Sequence, residues 1–390
     1  MKNSPIKYPL TNTVLDNKDI KSGVKVLKSK WITMGRETLK FENTFSKKIS
    51  KSSSIMVNSG SSANLLIFQC LINPRIKKLK INDEVLIPAI CWSTSLWPII
   101  QSGLKVKFVD IDLNTLNLDV DDFEKKITRK TKALMLVHAL GNCADMEKIV
   151  KICKKKKIIL IEDTCEALGS EYKGKQLGTF GDFSSYSFFY SHHITSGEGG
   201  MICAKSKKDA NVIRALRSHG WQRAISNKKS NSWSFINSGF NLRPTDISAS
   251  IGNSQIKKLK KIKRIRRYNF KLIRNTLLAD KKFSDKFDII EESPKNSIIW
   301  FGVPIILKSN KKNYKNKVTK KLNNFGIDTR PLISGNFANQ PAVKLYKLKI
   351  TNDLKNADYI DSNSFFIGLH NTKTSMKSVL YVKKALYASL

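Results

Sequence analysis

Three short stretches of this 390-residue chain carry residues whose types and spacing can do chemistry. The first is Gly60-Ser61-Ser62, between an apolar run ending at Val57 and a helical pattern from Ala63 to Leu71. Small residues at a helix start leave backbone N–H groups open and present the positive end of the helix dipole, which suits a phosphate. An ordinary serine cap uses the same residues. The second stretch is Ile161-Glu162-Asp163-Thr164-Cys165-Glu166. A carboxylate at the end of a buried apolar strand sits where charge is costly, so it needs a cationic partner or a catalytic task. One such partner is the protonated pyridine nitrogen of a pyridoxal cofactor. A helix N-cap is the plain alternative. The third runs from Ser184 to Gly200, SSYSFFYSHHITSGEGG, and holds two of the five histidines side by side, His192 and His193. A lone histidine is often a satisfied core residue. A pair set between a hydroxyl-rich strand and a Gly-rich turn reads more as a site.

The elements that must position these residues alternate along the first half of the chain. Strands are expected at 54–57, 84–88, 106–110, 133–138, 158–162, 184–189 and 201–204. Helices are expected at 63–71, 93–102 and 146–155. Continuous apolar strands alternating with helices argue for a parallel-rich sheet covered on both faces, with function collected at the strand ends. From Thr245 to Leu278 the pattern is one long helix rich in Lys and Arg, read as the solvated face of an inter-domain helix. Beyond it, a strand at 298–306 and helices at 315–325 and 376–388 indicate a smaller α+β unit. The fold class is therefore α/β, with a large three-layer αβα domain over 1–250, the N-terminal segment included. The linking helix and a small C-terminal domain take 251–390.

Composition narrows the function classes. The chain is 41% hydrophobic with 19 Phe and 6 Trp, too apolar for disorder. Its formal net charge is +39, which raises nucleic acid, a membrane surface or an anionic ligand as partners. Only 12 of the 70 cations are Arg, the residue that phosphate- and base-reading surfaces prefer, and no aromatic residues interleave with the basic run as stacking partners. The six cysteines form no CxC or CxxC pair, so no metal site is signalled. The N-terminus reads as no signal peptide and no run is long enough to span a membrane, so a cytoplasmic protein is expected.

The Ser184–Gly200 segment resembles the cofactor-anchoring segment of the DegT/DnrJ/EryC1/StrS sugar aminotransferases, and the resemblance covers nearly the whole chain. Trp31-Ile32-Thr33-Met34-Gly35 with Phe41-Glu42, NSGSSAN, Asp110-Ile111-Asp112, HALGNCAD, IEDTCEALG, Gly239-Phe240-Asn241 and Arg330-Pro331 fall in the family's order. The resemblance implies the pyridoxal-phosphate (PLP) fold of type I, similar to aspartate aminotransferase, and action on a nucleotide-linked keto-sugar. One departure matters most. Where the family's transaminases carry the lysine that holds PLP covalently, this chain has His192. That exchange marks the family's 3-dehydratases, which serve deoxysugar biosynthesis of the colitose type for lipopolysaccharide O-antigen. An imidazole cannot form the covalent link but can move protons near neutral pH.

The resemblance implies noncovalent PLP and its amine form (PMP), with L-glutamate as amino donor. The substrate is a nucleotide-linked 4-keto-6-deoxyhexose, GDP-4-keto-6-deoxy-D-mannose in the first instance, and the reaction is loss of its 3-hydroxyl. Residue by residue, His192 becomes the general base and Asp163 the partner of the pyridine nitrogen. Gly60, Ser61, Ser62 and Ser187 bind phosphate, Trp92 stacks on the ring, and Glu166 meets its hydroxyl side. Asn241 reaches the cofactor of a second subunit in a homodimer with shared active sites. His219 and Arg330 are substrate candidates. His193 can be a plain strand-turn residue. The rival readings are a nucleotide-sugar aminotransferase, a CDP-4-keto-6-deoxyglucose 3-dehydrase with an iron–sulfur cluster and a reductase partner, and a basic nucleic-acid-binding protein. A cluster needs four local cysteines, and only Cys203 follows His192.

Overall fold

The structure is a computed structural model and describes residues 7–12, 15–50, 53–225, 233–309, 311–348, 350 and 354–390. A seven-stranded sheet organises the first half of the chain. Its strands, in spatial order, are Ser53–Val57, Gly200–Ala204, Phe183–Ser187, Ile159–Asp163, Thr131–Val137, Glu84–Pro88 and Lys105–Val109. From Phe183–Ser187 to Lys105–Val109 every neighbouring pair is parallel. Gly200–Ala204 runs antiparallel to both of its neighbours. The seven strands expected in the first half are all present, shifted by no more than two residues at their starts.

Both faces of this sheet are covered, so alternate side chains enter two different cores. Ile55, Val57, Ile202, Ala204 and Phe183 join the larger cluster, with Phe68 and Leu71 of the Gly60–Leu71 helix. Met56, Met201, Cys203 and Tyr186 face the other way, against Phe41 and Phe45 of the Arg36–Ile49 helix. That helix has no side-chain cap of its own at Gly35. Asp246 supplies the cap from a distant segment. Its carboxylate accepts from the amides of Gly35 at 2.8 Å, Glu37 at 3.0 Å and Thr38 at 3.0 Å, and from the Thr38 hydroxyl at 2.6 Å.

The long basic helix is two helices, Asp246–Gln255 and Leu259–Leu278, joined by a 3-10 turn at Ile256–Lys258. The expected solvated cationic face is present only in part. Lys257, Lys260, Lys261 and Arg264 are exposed. Lys258 pairs with Asp16 and Asp19, Lys263 with Glu171, and Arg267 with Glu292. Arg266 is buried.

A four-stranded antiparallel sheet follows, in the order Phe287–Asp288, Gly302–Leu307, Ser364–Gly368, Thr329–Arg330. The strand expected from 298 begins only at Gly302. Residues 298–300 are buried yet irregular, because their carbonyls are claimed by side chains from other elements. The N-terminal segment, expected with the large domain, bonds to this smaller sheet. The Lys7 and Tyr8 amides donate to the Gly326 carbonyl, and the Tyr8 hydroxyl donates to that of Gly368. Asp110, just after the Lys105–Val109 strand, ties the large sheet to the Lys355–Asn363 helix by accepting from the amides of Asn356 and Ala357 at 3.0 and 2.8 Å.

Removing the Asp246 carboxylate orphans three buried or half-buried amides and a hydroxyl. Asp246→Ala is expected to lower unfolding free energy by about 3 kcal/mol, read as a lower urea midpoint at unchanged slope.

Candidate active site

Asp163 ends its strand at the carboxyl edge of the parallel sheet, where such folds place their ligands. Its carboxylate is almost fully buried. One oxygen accepts from Asn64 Nδ2 at 2.9 Å and Ser95 Oγ at 2.7 Å. The other accepts from the Cys165 amide at 3.1 Å. All three donors are neutral, and no cation among the described residues pairs with it. Asn64 comes from the first turns of the Gly60–Leu71 helix, and Ser95 from the Ser93–Gln101 helix that follows Trp92. Sequence reasoning missed Asn64 and Ser95. Their spacing from Gly60 and Trp92, which sets them on helices opening toward the same strand end, was the available signal.

Glu162, one residue earlier, points to the opposite face of the sheet. His138 Nε2 lies 3.1 Å from its carboxylate, which also accepts from the amides of Gly178, Phe180 and Gly181 at 2.7–2.8 Å. Burial pushes this carboxyl up, but these partners outweigh it and hold it below its ordinary value. Glu162 is thus a satisfied structural anion. Glu166 behaves differently. Burial pushes its carboxyl up, the Leu140 amide at 2.8 Å opposes that, and the charge of Asp163 adds to it; the result is about 7.

The Gly60–Leu71 helix begins three residues earlier than its apolar pattern does. Ser59 is the N-cap and accepts from the Ser62 amide at 3.1 Å. Gly60, Ser61 and Ser62 therefore form the first turn, where N–H groups precede the intrahelical ladder. A Cβ at Gly60 would lie 2.7 Å from Ser187 Cβ and 3.0 Å from Cys165 Sγ. Only glycine lets the helix start approach the end of the Phe183–Ser187 strand so closely. Ser61 Oγ shares a hydrogen bond with Thr94 Oγ1 at 2.8 Å. Trp92 is the N-cap residue of its helix and is 55% exposed, so it is no core tryptophan.

His192 lies in the turn after the Phe183–Ser187 strand, with its ring centroid 5.2 Å from that of Phe301 and 6.2 Å from that of Phe189. Its Nδ1 is buried without a partner. Burial lowers its titration to about 4; the Asp163 charge pulls upward and that of Arg266 downward. His193 is buried, its Nε2 2.9 Å from the Ile299 carbonyl oxygen, and serves as a turn residue.

The remaining candidates lie apart. The Asn241 Oδ1 accepts from Arg243 Nε at 2.9 Å, and its residue pairs with Ser218. His219 has a left-handed φ of 60°, and its ring lies tilted against Trp221 with centroids 5.0 Å apart. Arg330 is exposed on a strand paired with Phe366. Among the described residues, no hydrogen bond or ring contact joins these three to Asp163 or His192.

The depressed titration of His192 has a sign. The folded chain favours the neutral imidazole, so this contribution to stability is present above about pH 6.5 and is lost as pH falls toward about 4. His192→Asn is expected to lose less stability than the wild type between about pH 7.5 and about pH 5. Urea titrations at both values measure the difference.

Residues 14–386 match the DegT/DnrJ/EryC1/StrS aminotransferase family. The chain is 37% identical over 379 residues to a GDP-4-keto-6-deoxy-D-mannose 3-dehydratase of Escherichia coli O55:H7, covering 94% of this chain and 96% of that one. It is similar to the solved E. coli GDP-4-keto-6-deoxy-D-mannose-3-dehydratase with bound hydrated PLP, with a TM-score of 0.92 at 35% identity over 98% of this chain and all of that one. A structure of GDP-4-keto-6-deoxymannose-3-dehydratase with a trapped PLP-glutamate geminal diamine gives a TM-score of 0.90 at 35% identity, covering 97% of this chain and 100% of that one. With the match spanning nearly its full length, the chain belongs to the DegT/DnrJ/EryC1/StrS aminotransferase family.

Proposed function

We propose that the chain is a PLP- and glutamate-dependent 3-dehydratase that removes the C3 hydroxyl of GDP-4-keto-6-deoxy-D-mannose to give the 4-keto-3,6-dideoxy sugar. The observation that carries this reading is His192. It stands beside the Asp163 site in a segment, 183–200, that contains no lysine. A transaminase of this family needs a lysine there. The relatives named as 3-dehydratases match over nearly the full length of the chain.

The residues fit a pyridoxal group. Asp163 is a buried carboxylate held by neutral donors alone, which a protonated ring nitrogen would complement. When bound, that group supplies the electron sink for breaking the C3–O bond. Asn64, Ser95 and the Cys165 amide fix the orientation of the Asp163 carboxylate. The first-turn amides of Gly60 and Ser61, with the helix dipole behind them, would receive the phosphate, and the hydroxyls of Ser61, Ser62 and Ser187 would add donors. The exposed Trp92 indole offers a stacking face, and Glu166 holds or releases a proton near neutral pH. His192 is neutral at working pH, the form that accepts a proton, and its unpartnered Nδ1 competes for no fixed bond. Without a covalent tether, these contacts must carry the whole affinity for the cofactor.

A homodimer completes this reading. Asn241, His219 and Arg330 stand away from Asp163 within one chain, and a second copy would bring Asn241 and His219 to it. Ile20, Val24 and Leu27 form an exposed apolar row on the Asn17–Lys28 helix, which suits such an interface. The reaction belongs to the cytoplasm, where nucleotide sugars are made.

The deciding experiment is turnover with glutamate and GDP-4-keto-6-deoxy-mannose, beside the CDP and dTDP analogues, following ammonia and 2-oxoglutarate. PLP absorbance that borohydride cannot fix to the chain is expected, and covalent trapping would sink the reading. His192→Lys is expected to lower 3-deoxygenation by at least about 100-fold. Retained activity in that variant would remove His192 from the chemistry. Faster turnover of the CDP or dTDP sugar would reassign the nucleotide.

A further inference from the structure

Arg266 is a buried cation that the site described above does not use. It projects from the Leu259–Leu278 helix, and its flanking cations Lys263 and Arg267 pair with Glu171 and Glu292. Arg266 itself has no carboxylate partner among the described residues. Its Nε and Nη2 donate to the Trp300 carbonyl at 3.0 and 2.8 Å. Nη2 also donates to the Phe301 carbonyl at 2.6 Å, and Nη1 to Asn371 Oδ1 at 2.9 Å. Burying a cation among neutral acceptors is costly, and an apolar residue of similar volume would pack there without that cost.

Two partners of this guanidinium, Phe301 and Asn371, lead to the histidine turn. The Phe301 ring sits 5.2 Å from His192 and 6.0 Å from His193. Asn371 Nδ2 donates to the His193 carbonyl at 3.1 Å. The Phe301 amide donates to the Leu140 carbonyl at 2.8 Å, and the Leu140 amide donates to Glu166. One planar fork thus holds the 300–301 backbone, whose Phe301 ring lies against His192, and the side-chain amide of Asn371, which bonds the neighbouring His193 carbonyl.

We propose that Arg266 is the positioning residue for His192, orienting its imidazole through Phe301 and Asn371 without touching substrate. The inference rests on the reading of His192 as the proton-transfer group. It also accounts for the charge balance there. The groups that bear on His192 are Asp163 from the sheet, Arg266 from the helix and the neighbouring His193, itself held neutral by burial. Arg266 remains cationic at neutral pH although burial lowers it to about 9. Its field opposes that of Asp163 and favours the neutral imidazole.

The test is histidine-ring NMR on the full chain without substrate, with the His192 signal assigned by its loss in His192→Asn. Arg266→Met is expected to raise the His192 midpoint by about half a unit or more, because a nearby positive charge is removed. Arg266→Lys keeps the charge and loses the fork. Its midpoint should stay near that of the wild type, while kcat for dehydration falls about tenfold and KM stays within about twofold. Asn371→Ala removes the link to the turn together with one acceptor of Arg266, leaves the bonds to Trp300 and Phe301, and serves if the Arg266 variants do not fold. It should displace the His192 ring resonances and lower kcat about threefold. Unchanged His192 resonances and unchanged kcat in the folded variants overturn the proposal. A shifted His192 signal in a protein whose wild type turns nothing over supports the role of Arg266 and overturns the reaction instead.

Discussion

A carboxylate buried without a cation sets the terms for the rest of the site. Burying Asp163 costs roughly several kcal/mol of hydration, and three neutral hydrogen bonds return only part of it. Those bonds come from three places: the helix after Gly60, the helix after Trp92 and the turn after the strand itself. The three segments therefore converge on one carboxylate, and the convergence builds the pocket. Gly60 can abut Ser187, and Trp92 can stand clear of the core, because the helices that carry them are pinned to Asp163. The residual negative potential also reaches the surroundings. It helps to raise Glu166 and opposes the burial that keeps His192 neutral.

The contrast with Glu162 shows how two adjacent carboxylates take opposite roles on one strand. The pleat sends them to different faces. On one face, His138 and three amides were available, so the charge is fully answered within the chain. On the other, the donors are few and neutral, so no cation among the described residues answers the charge. Burial alone does not distinguish them, since both are nearly inaccessible. The count and charge of their partners do.

The +39 charge plays a smaller part than its size suggests. Several cations of the linking helix are spent on local pairs with Asp16, Asp19, Glu171 and Glu292, which fasten that helix to the N-terminal helix, the large unit and the segment before Trp300. Others stay in water, where exposed charges are screened and individually worth little. The long-range positive field that remains favours approach of a doubly phosphorylated sugar. The most consequential cation of the helix is the buried one, whose neighbours are carbonyls.

Much of this protein was legible in its residues. Apolar strands alternating with helices gave the parallel sheet, because period and length are local properties of the chain. The replacement of lysine by His192 could be read because it is a matter of residue type at a marked place. What stayed hidden depended on contacts between distant segments. The spacing of Asn64 from Gly60 and of Ser95 from Trp92 is a local hint, but their meeting at Asp163 requires two crossover helices to open toward one strand end. The boundary at Gly302 and the burial of Arg266 were hidden for the same reason. The 298–300 stretch has strand-like residues, but its carbonyls bond to His193, Arg266 and Arg267 instead of a neighbouring strand. The sequence alone determined most of the elements, the family pattern and the presence of His192 in a segment without lysine. The tertiary structure decided which buried charges are satisfied and which are left open, because hydration and hydrogen bonding depend on neighbours that only folding brings together.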